Sequence, residues 1–169
     1  MGDKILKEGR FEFDFSNSIR AFVADKPQYH GLSAVDFIVE TDDKFLFIEV
    51  KDPDHPYALK FGNPAEFIEE LKKPVKLTGK FKDSLLKELA KGMVFQKPVV
   101  YILILEWSKL DAAQRRKIFE NIRNTIPRFK EDYFSTVKSA TFLPLFNING
   151  FQVKFPMFKI RLQGVRRLL

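Results

Sequence analysis

The chain has no cysteine, which excludes disulfides and thiolate metal sites together. Histidine is nearly as scarce: His30 and His55 are the only two, and two so placed make no zinc signature. No apolar run approaches the length of about 18 residues that a membrane span needs, and no secretory h-region is present. A cytoplasmic protein with no membrane association is therefore expected. Gly/Ser linkers, low-complexity tracts and fixed-period repeats are also missing, so residues 1–169 are expected to form one domain. A nucleophile elbow, Walker A loop, dinucleotide fingerprint and HExxH motif are all lacking, so no chemistry can be assigned from those signatures.

Phenylalanine is abundant. Its 19 copies predict a core filled largely by rings. The formal net charge is +7, a balance compatible with a polyanionic partner such as nucleic acid. Arg115, Arg116, Lys117, Arg123, Arg128, Arg161, Arg166 and Arg167 are candidate phosphate contacts, although such a spread of charge also serves solubility.

Hydrophobic spacing gives a coarse map. Phe11, Phe15, Ile19 and Phe22 recur at helical intervals, which predicts a first helix with Asp14 or Ser16 as its cap. "ADKPQYHG" (24–31) reads as a loop. "AVDFIVE" (34–40) and "KFLFIEVK" (44–51) flank the turn signal Thr41-Asp42-Asp43, and so predict a β-hairpin. Both runs are apolar at nearly every position, as expected of strands covered on two faces. Helices are predicted at 63–73, ended by Pro74, and at 78–92, with Thr78 as cap and Gly92 as stop. "PVVYILILEW" (98–107) should be a central strand, and 110–126 a helix presenting Leu110, Ile118, Ile122 and Ile126. The remainder, 140–146 and 150–162, reads as two strands around a turn at 147–150, with Pro156 marking an edge or bulge. The expected fold is α/β: a mixed central sheet sandwiched by helices.

Within this frame one tripeptide is anomalous. Glu49 and Lys51 lie in a strand that otherwise reads as core, and strand alternation points both to the same face as Phe45 and Phe47. Asp36 shares its face with Ile38 on the preceding strand, at the end away from the turn. Antiparallel pairing can then bring Asp36 and Glu49 together with the Lys51 ammonium beside them. Two convergent carboxylates, with the Val50 carbonyl, make a hard oxygen site suited to Mg²⁺ or Mn²⁺. A cation there can activate water and neutralise charge on a phosphate, while a lysine positions or helps deprotonate that water. The plainer alternative is a local ion pair where a strand emerges into solvent. Against it, burying unpaired charge in an apolar hairpin costs roughly several kcal/mol.

The constellation Asp36…Glu49-Val50-Lys51 resembles that of the PD-(D/E)xK nuclease superfamily, in which an Asp lies on one strand of a hairpin and (D/E)-x-K ends the next. The tripeptide alone carries little, since the chain also contains Asp42-Asp43-Lys44 and Glu70-Leu71-Lys72. Only Glu49-Val50-Lys51 follows a strand of core character with an aspartate one strand earlier. Val35 stands where the superfamily motif has its proline. The resemblance implies a restriction-endonuclease-like α/β/α core and metal-dependent hydrolysis of nucleic acid, DNA in preference to RNA. Asp36 and Glu49 would hold the metal, with Lys51 on the attacking water. It further implies an acidic residue from the first helix, for which Glu12 and Asp14 are the candidates. From the helix after the hairpin it implies a polar or basic residue, for which "KFKDS" offers Lys80, Lys82 and Ser84. His30, His55, Asp52 and Asp54 flank the hairpin near the mouth of such a site. Lacking an evident sequence-reading module, such a protein is expected to rely on a protein partner or a homodimer. The alternative function is a non-catalytic protein- or nucleic-acid-binding module of the same fold.

Overall fold

The computed structural model describes residues 4–25, 31–55, 74–126, 137, 139–145 and 147–163. Its strands are β1 (Ile5–Glu8), β2 (Phe11–Asp14), β3 (Arg20–Val23), β4 (Phe37–Glu40), β5 (Phe45–Lys51), β6 (Val99–Leu105), β7 (Ala140–Leu145) and β8 (Lys159–Leu162). Its helices are α1 (Pro74–Ala90), α2 (Ala112–Thr125) and α3 (Ile148–Lys154). Five strands form a mixed sheet in the order β3-β4-β5-β6-β7, and β1-β2-β8 form a smaller antiparallel one.

The hairpin forms where the sequence places it. β4 and β5 pair antiparallel with Phe37 opposite Ile48 and Glu40 opposite Phe45, and Thr41 N–H closes the turn on the Lys44 carbonyl at 2.9 Å. Both strands are buried almost throughout, as two-faced apolar runs require. β6 runs parallel to β5 on one side and to β7 on the other, which makes it interior to the sheet.

Alternation divides the sheet into two faces. Ile38, Phe45, Phe47, Tyr101 and Leu103 pack under α1 and α2, together with Phe81, Leu85 and Ile118. On the other face Phe37, Leu46, Ile48 and Ile102 meet Phe11 and Phe13 of the small sheet and Phe15 just after it, with Phe151 of α3 and its C-cap Phe155. Rings dominate that layer: Phe13 lies 5.1 Å from Phe37 and 6.2 Å from Phe151, centroid to centroid. Helices thus cover one face, while the other is covered by a second sheet and one short helix.

Two expectations fail here. The predicted first helix is instead β2, a turn and β3. "FEFDF" fits both periods, but Phe11 and Phe13 are buried and alternate with half-buried Glu12 and Asp14, because β2 pairs on both sides with β1 and β8. The second of the two C-terminal strands is helix α3 followed by β8. Asn147 caps the helix by accepting from Gly150 N–H at 2.7 Å, and Pro156 follows its end instead of interrupting a strand.

Helix boundaries follow local chemistry. Pro74 opens α1, so Thr78 lies inside the helix and is not its cap. Gly92 stops it at φ 84°, with Met93 N–H bonded to the Glu88 carbonyl and Gly92 N–H to that of Leu89, a Schellman closure. Asp111 and Gln114 form a capping box on α2. The predicted helix at 63–73, His30, Arg128, Arg166 and Arg167 lie outside the described residues.

Candidate metal and nucleic-acid site

The β4–β5 register, continued one residue past Phe37 and Ile48, sets Asp36 opposite Glu49. Opposed residues share a face, so both carboxylates point toward α1. Asp36 is held on two sides: its carbonyl accepts from Ala24 N–H at 3.0 Å, and its Oδ2 accepts from Val50 N–H at 2.7 Å. A strand residue's C=O leaves on the same side as its N–H, so the Val50 carbonyl is also directed toward Asp36.

Glu49 is fully buried. Its Oε1 takes the Lys51 ammonium at 2.6 Å and the Lys80 ammonium at 2.7 Å. Among the described residues its Oε2, which is buried, has no hydrogen-bond partner. Two cations therefore crowd one oxygen and leave the other bare. An orphaned anionic oxygen costs desolvation with nothing to offset it, and native structures keep few of them.

Burial, reinforced by Glu49, pushes Asp36 up to about 8, against the opposing pull of Lys80 and of Val50 N–H. At neutral pH Asp36 is thus largely protonated. Burial works against the Lys51 ammonium too, but Glu49, Asp36 and Glu8 outweigh it and raise its pKa. Tyr101 on β6 lies deep beside the cluster; burial, Glu49 and Asp36 keep its phenol protonated, and it donates to the Leu77 carbonyl at 3.0 Å.

Of the sequence-nominated residues, the structure gathers Asp36, Glu49, Val50, Lys51 and Lys80. Ser84 lies one turn beyond Lys80, buried, and accepts from Val35 N–H at 2.9 Å. Lys82 is exposed on the opposite side of α1. Glu12 and Asp14 do not reach the site. Glu12 pairs with Lys7 at 3.8 Å, and Asp14 accepts from Ser16 N–H at 3.0 Å. Asp52 is engaged by Arg10 at 2.7 Å and Asp54 by Ser108 N–H at 2.7 Å, so neither is left to face a cation. His55 belongs to the turn after β5, its N–H bonded to the Asp52 carbonyl at 3.1 Å.

The acid that does approach is Glu8, at the end of β1. Burial, then Glu49 and Asp25, raise its pKa, while Lys51 and Lys80 lower it. The segment "ILKEGRFEFD" carried the signal: two short runs around Gly9, which sits at φ 55°, form a hairpin and set Glu8 at a strand end.

Among the described residues no group of three or more His, Asp or Glu side chains is arranged to hold a metal. The donors that converge are two carboxylates without nitrogen or sulfur. That set suits a small hard cation that keeps most of its water, and poorly suits a tetrahedral transition metal. No helix among the described residues is long and apolar enough to cross a membrane. Comparison of the chain with protein-family models, with curated proteins and with solved structures returns no match.

Proposed function

We propose that the chain is a metal-dependent nuclease acting on nucleic-acid phosphodiesters, DNA foremost, with a restriction-endonuclease-like core. The observation carrying this is the fully buried Glu49, saturated by two ammoniums on Oε1 and bare on Oε2, directly beside a near-neutral Asp36. The succession hairpin, α1, parallel β6, α2 also supports it, as the superfamily's core has the same order after its hairpin.

Asp36 and Glu49, with the Val50 carbonyl, would hold Mg²⁺ or Mn²⁺. Bound there, the ion supplies charge neutralisation at the phosphate and a water of lowered pKa. Lys51, tethered to Glu49, would orient the attacking water by hydrogen bonding and offset negative charge as the water oxygen bonds to phosphorus and the P–O bond to the leaving oxygen breaks. Lys80 approaches the same oxygen from α1 and presents a second cation to a non-bridging phosphate oxygen. Asp36 must give up its proton to serve as a ligand, so its carboxyl is poised between the two roles near physiological pH.

A second reading has its own support. Glu49, Lys51 and Lys80 already form an ion cluster, as a binding module with a vestigial site would retain. Plasmid nicking in Mn²⁺ separates the two. A nuclease converts supercoiled to open-circular DNA, with the rate reduced at least about 100-fold in Lys51→Ala and Glu49→Ala. Equal rates in wild type and both variants would eliminate it.

A further inference from the structure

α1 reaches both strands of the hairpin at once, and three residues of "KFKDS" carry the contacts. Lys80 holds Glu49 at 2.7 Å. Three and four residues on, Asp83 and Ser84 hold the segment that leads into Asp36. Asp83 Oδ2 accepts from Ser33 N–H at 3.0 Å and from the Ser33 hydroxyl at 2.9 Å. Ser84 Oγ accepts from Val35 N–H at 2.9 Å, with Val35 and Ser84 both buried. Spacing of three and four puts these side chains on one helical face.

Residues 33–36 precede the first ladder pair of β4, so their position depends on such contacts. Ala24 N–H, one residue past β3, secures the Asp36 carbonyl, and α1 secures Ser33 and Val35 ahead of it. Among the described residues, the hydrogen bond from Val50 N–H is the one that joins the Asp36 side chain to the strand bearing Glu49.

We infer that Asp83 and Ser84 are positioning residues: α1 works as a clamp that fixes the spacing of Asp36 from Glu49, with Lys80 gripping one carboxylate and Asp83-Ser84 the backbone before the other. The clamp's metal-binding consequence rests on the proposed function, whereas its geometry does not. Outer contacts that orient a ligand typically change metal affinity about 10–100-fold, and the clamp should fall in that range.

The test uses amide hydrogen exchange on the metal-free full chain, followed by Mn²⁺ titration, in wild type, Ser84→Ala and Asp83→Ala. Asp83 is only half-buried, so its variant keeps the test open if Ser84→Ala does not fold. A purely local role for these contacts exposes the amides of Ser33 and Val35 alone. The clamp predicts that Val50, whose N–H touches neither residue, also loses protection relative to Leu103 in β6, by about 10-fold or more. Unchanged Val50 protection in a folded variant overturns the clamp, whatever the metal does. A Val50 response with Mn²⁺ affinity weakened about 10-fold supports both the clamp and the metal site. A Val50 response in the variants, with no Mn²⁺ uptake by the wild-type chain, supports the clamp and counts against the nuclease.

Discussion

The β4–β5 hairpin carries a charged cluster at each end, and the two clusters differ in kind. At the turn end Glu40 takes Lys97 at 2.8 Å and Arg20 at 3.7 Å, and Lys97 also donates to the Thr41 carbonyl at 2.9 Å. At the open end Glu49 takes Lys51 at 2.6 Å and Lys80 at 2.7 Å. The lysines are equally wet, with side chains 26% exposed for Lys97, 28% for Lys51 and 27% for Lys80. The carboxylates are not: Glu40 is 20% exposed and Glu49 0%. Water can complete the first cluster. It cannot complete the second, where one oxygen stays bare and the neighbouring Asp36 holds its proton. Charge at a strand end is therefore partly solvated in one place and fully desolvated in the other, and burial of the carboxylate makes the difference.

The sharpest way to break this contrast is to remove both cations from the open end. Lys51→Met combined with Lys80→Met leaves Glu49 as an uncompensated buried charge. Urea unfolding at pH 7 should show a loss of about 3–5 kcal/mol. A loss under about 1 kcal/mol would mean that Glu49 is wetter than its burial implies.

Asp36 gives a comparable effect of opposite sign. Unfolded, its carboxyl titrates near the ordinary aspartate value, 3.8; folded, at about 8. Below the lower value both states are protonated and the group costs nothing. Between the two values the folded state keeps a proton that the unfolded state has released. Stability should fall as pH rises through this window, and the full cost of a buried carboxylate is reached above about 8. Asp36→Asn removes that slope. In EDTA at pH 8.5 it should exceed wild type by up to about 5 kcal/mol, and at pH 4 the two should nearly coincide. A constant difference across the range would refute the assignment.

The smallest change belongs to the turn end. Lys97→Met removes a partly solvated pair and should cost no more than about 1 kcal/mol by the same urea assay. A cost matching the double lysine variant would erase the distinction between the two clusters.

The hairpin itself was legible because two uninterrupted apolar runs around Thr41-Asp42-Asp43 admit little else. Once the turn was placed, Asp36 fell opposite the region of Glu49 and Lys51, whereas the register that pairs it with Glu49 comes from the structure. Lys80 was reachable through the helical spacing of "KFKDS", although nothing in that spacing separated it from exposed Lys82. The N-terminal third was not legible, because Phe11, Phe15, Ile19 and Phe22 satisfy a helical period while Phe11, Phe13 and Phe15 satisfy a strand period. The partner that decides between them, β8, enters about 150 residues later, with Phe11 opposite Leu162. Glu8 was hidden for the same reason: its nearness to the site depends on how the small sheet packs, which no local pattern encodes. In "FQVKF" the alternation was real but subordinate to the Asn147 cap.

The central claim is that Glu49 Oε2 and Asp36 together await a cation. Calorimetric titration of Mn²⁺ into the wild-type chain, Asp36→Asn and Glu49→Gln at pH 8 tests it most directly. One saturable site per chain is expected in wild type and none in either variant. Absence of uptake by wild type, or uptake undiminished in both variants, would contradict it.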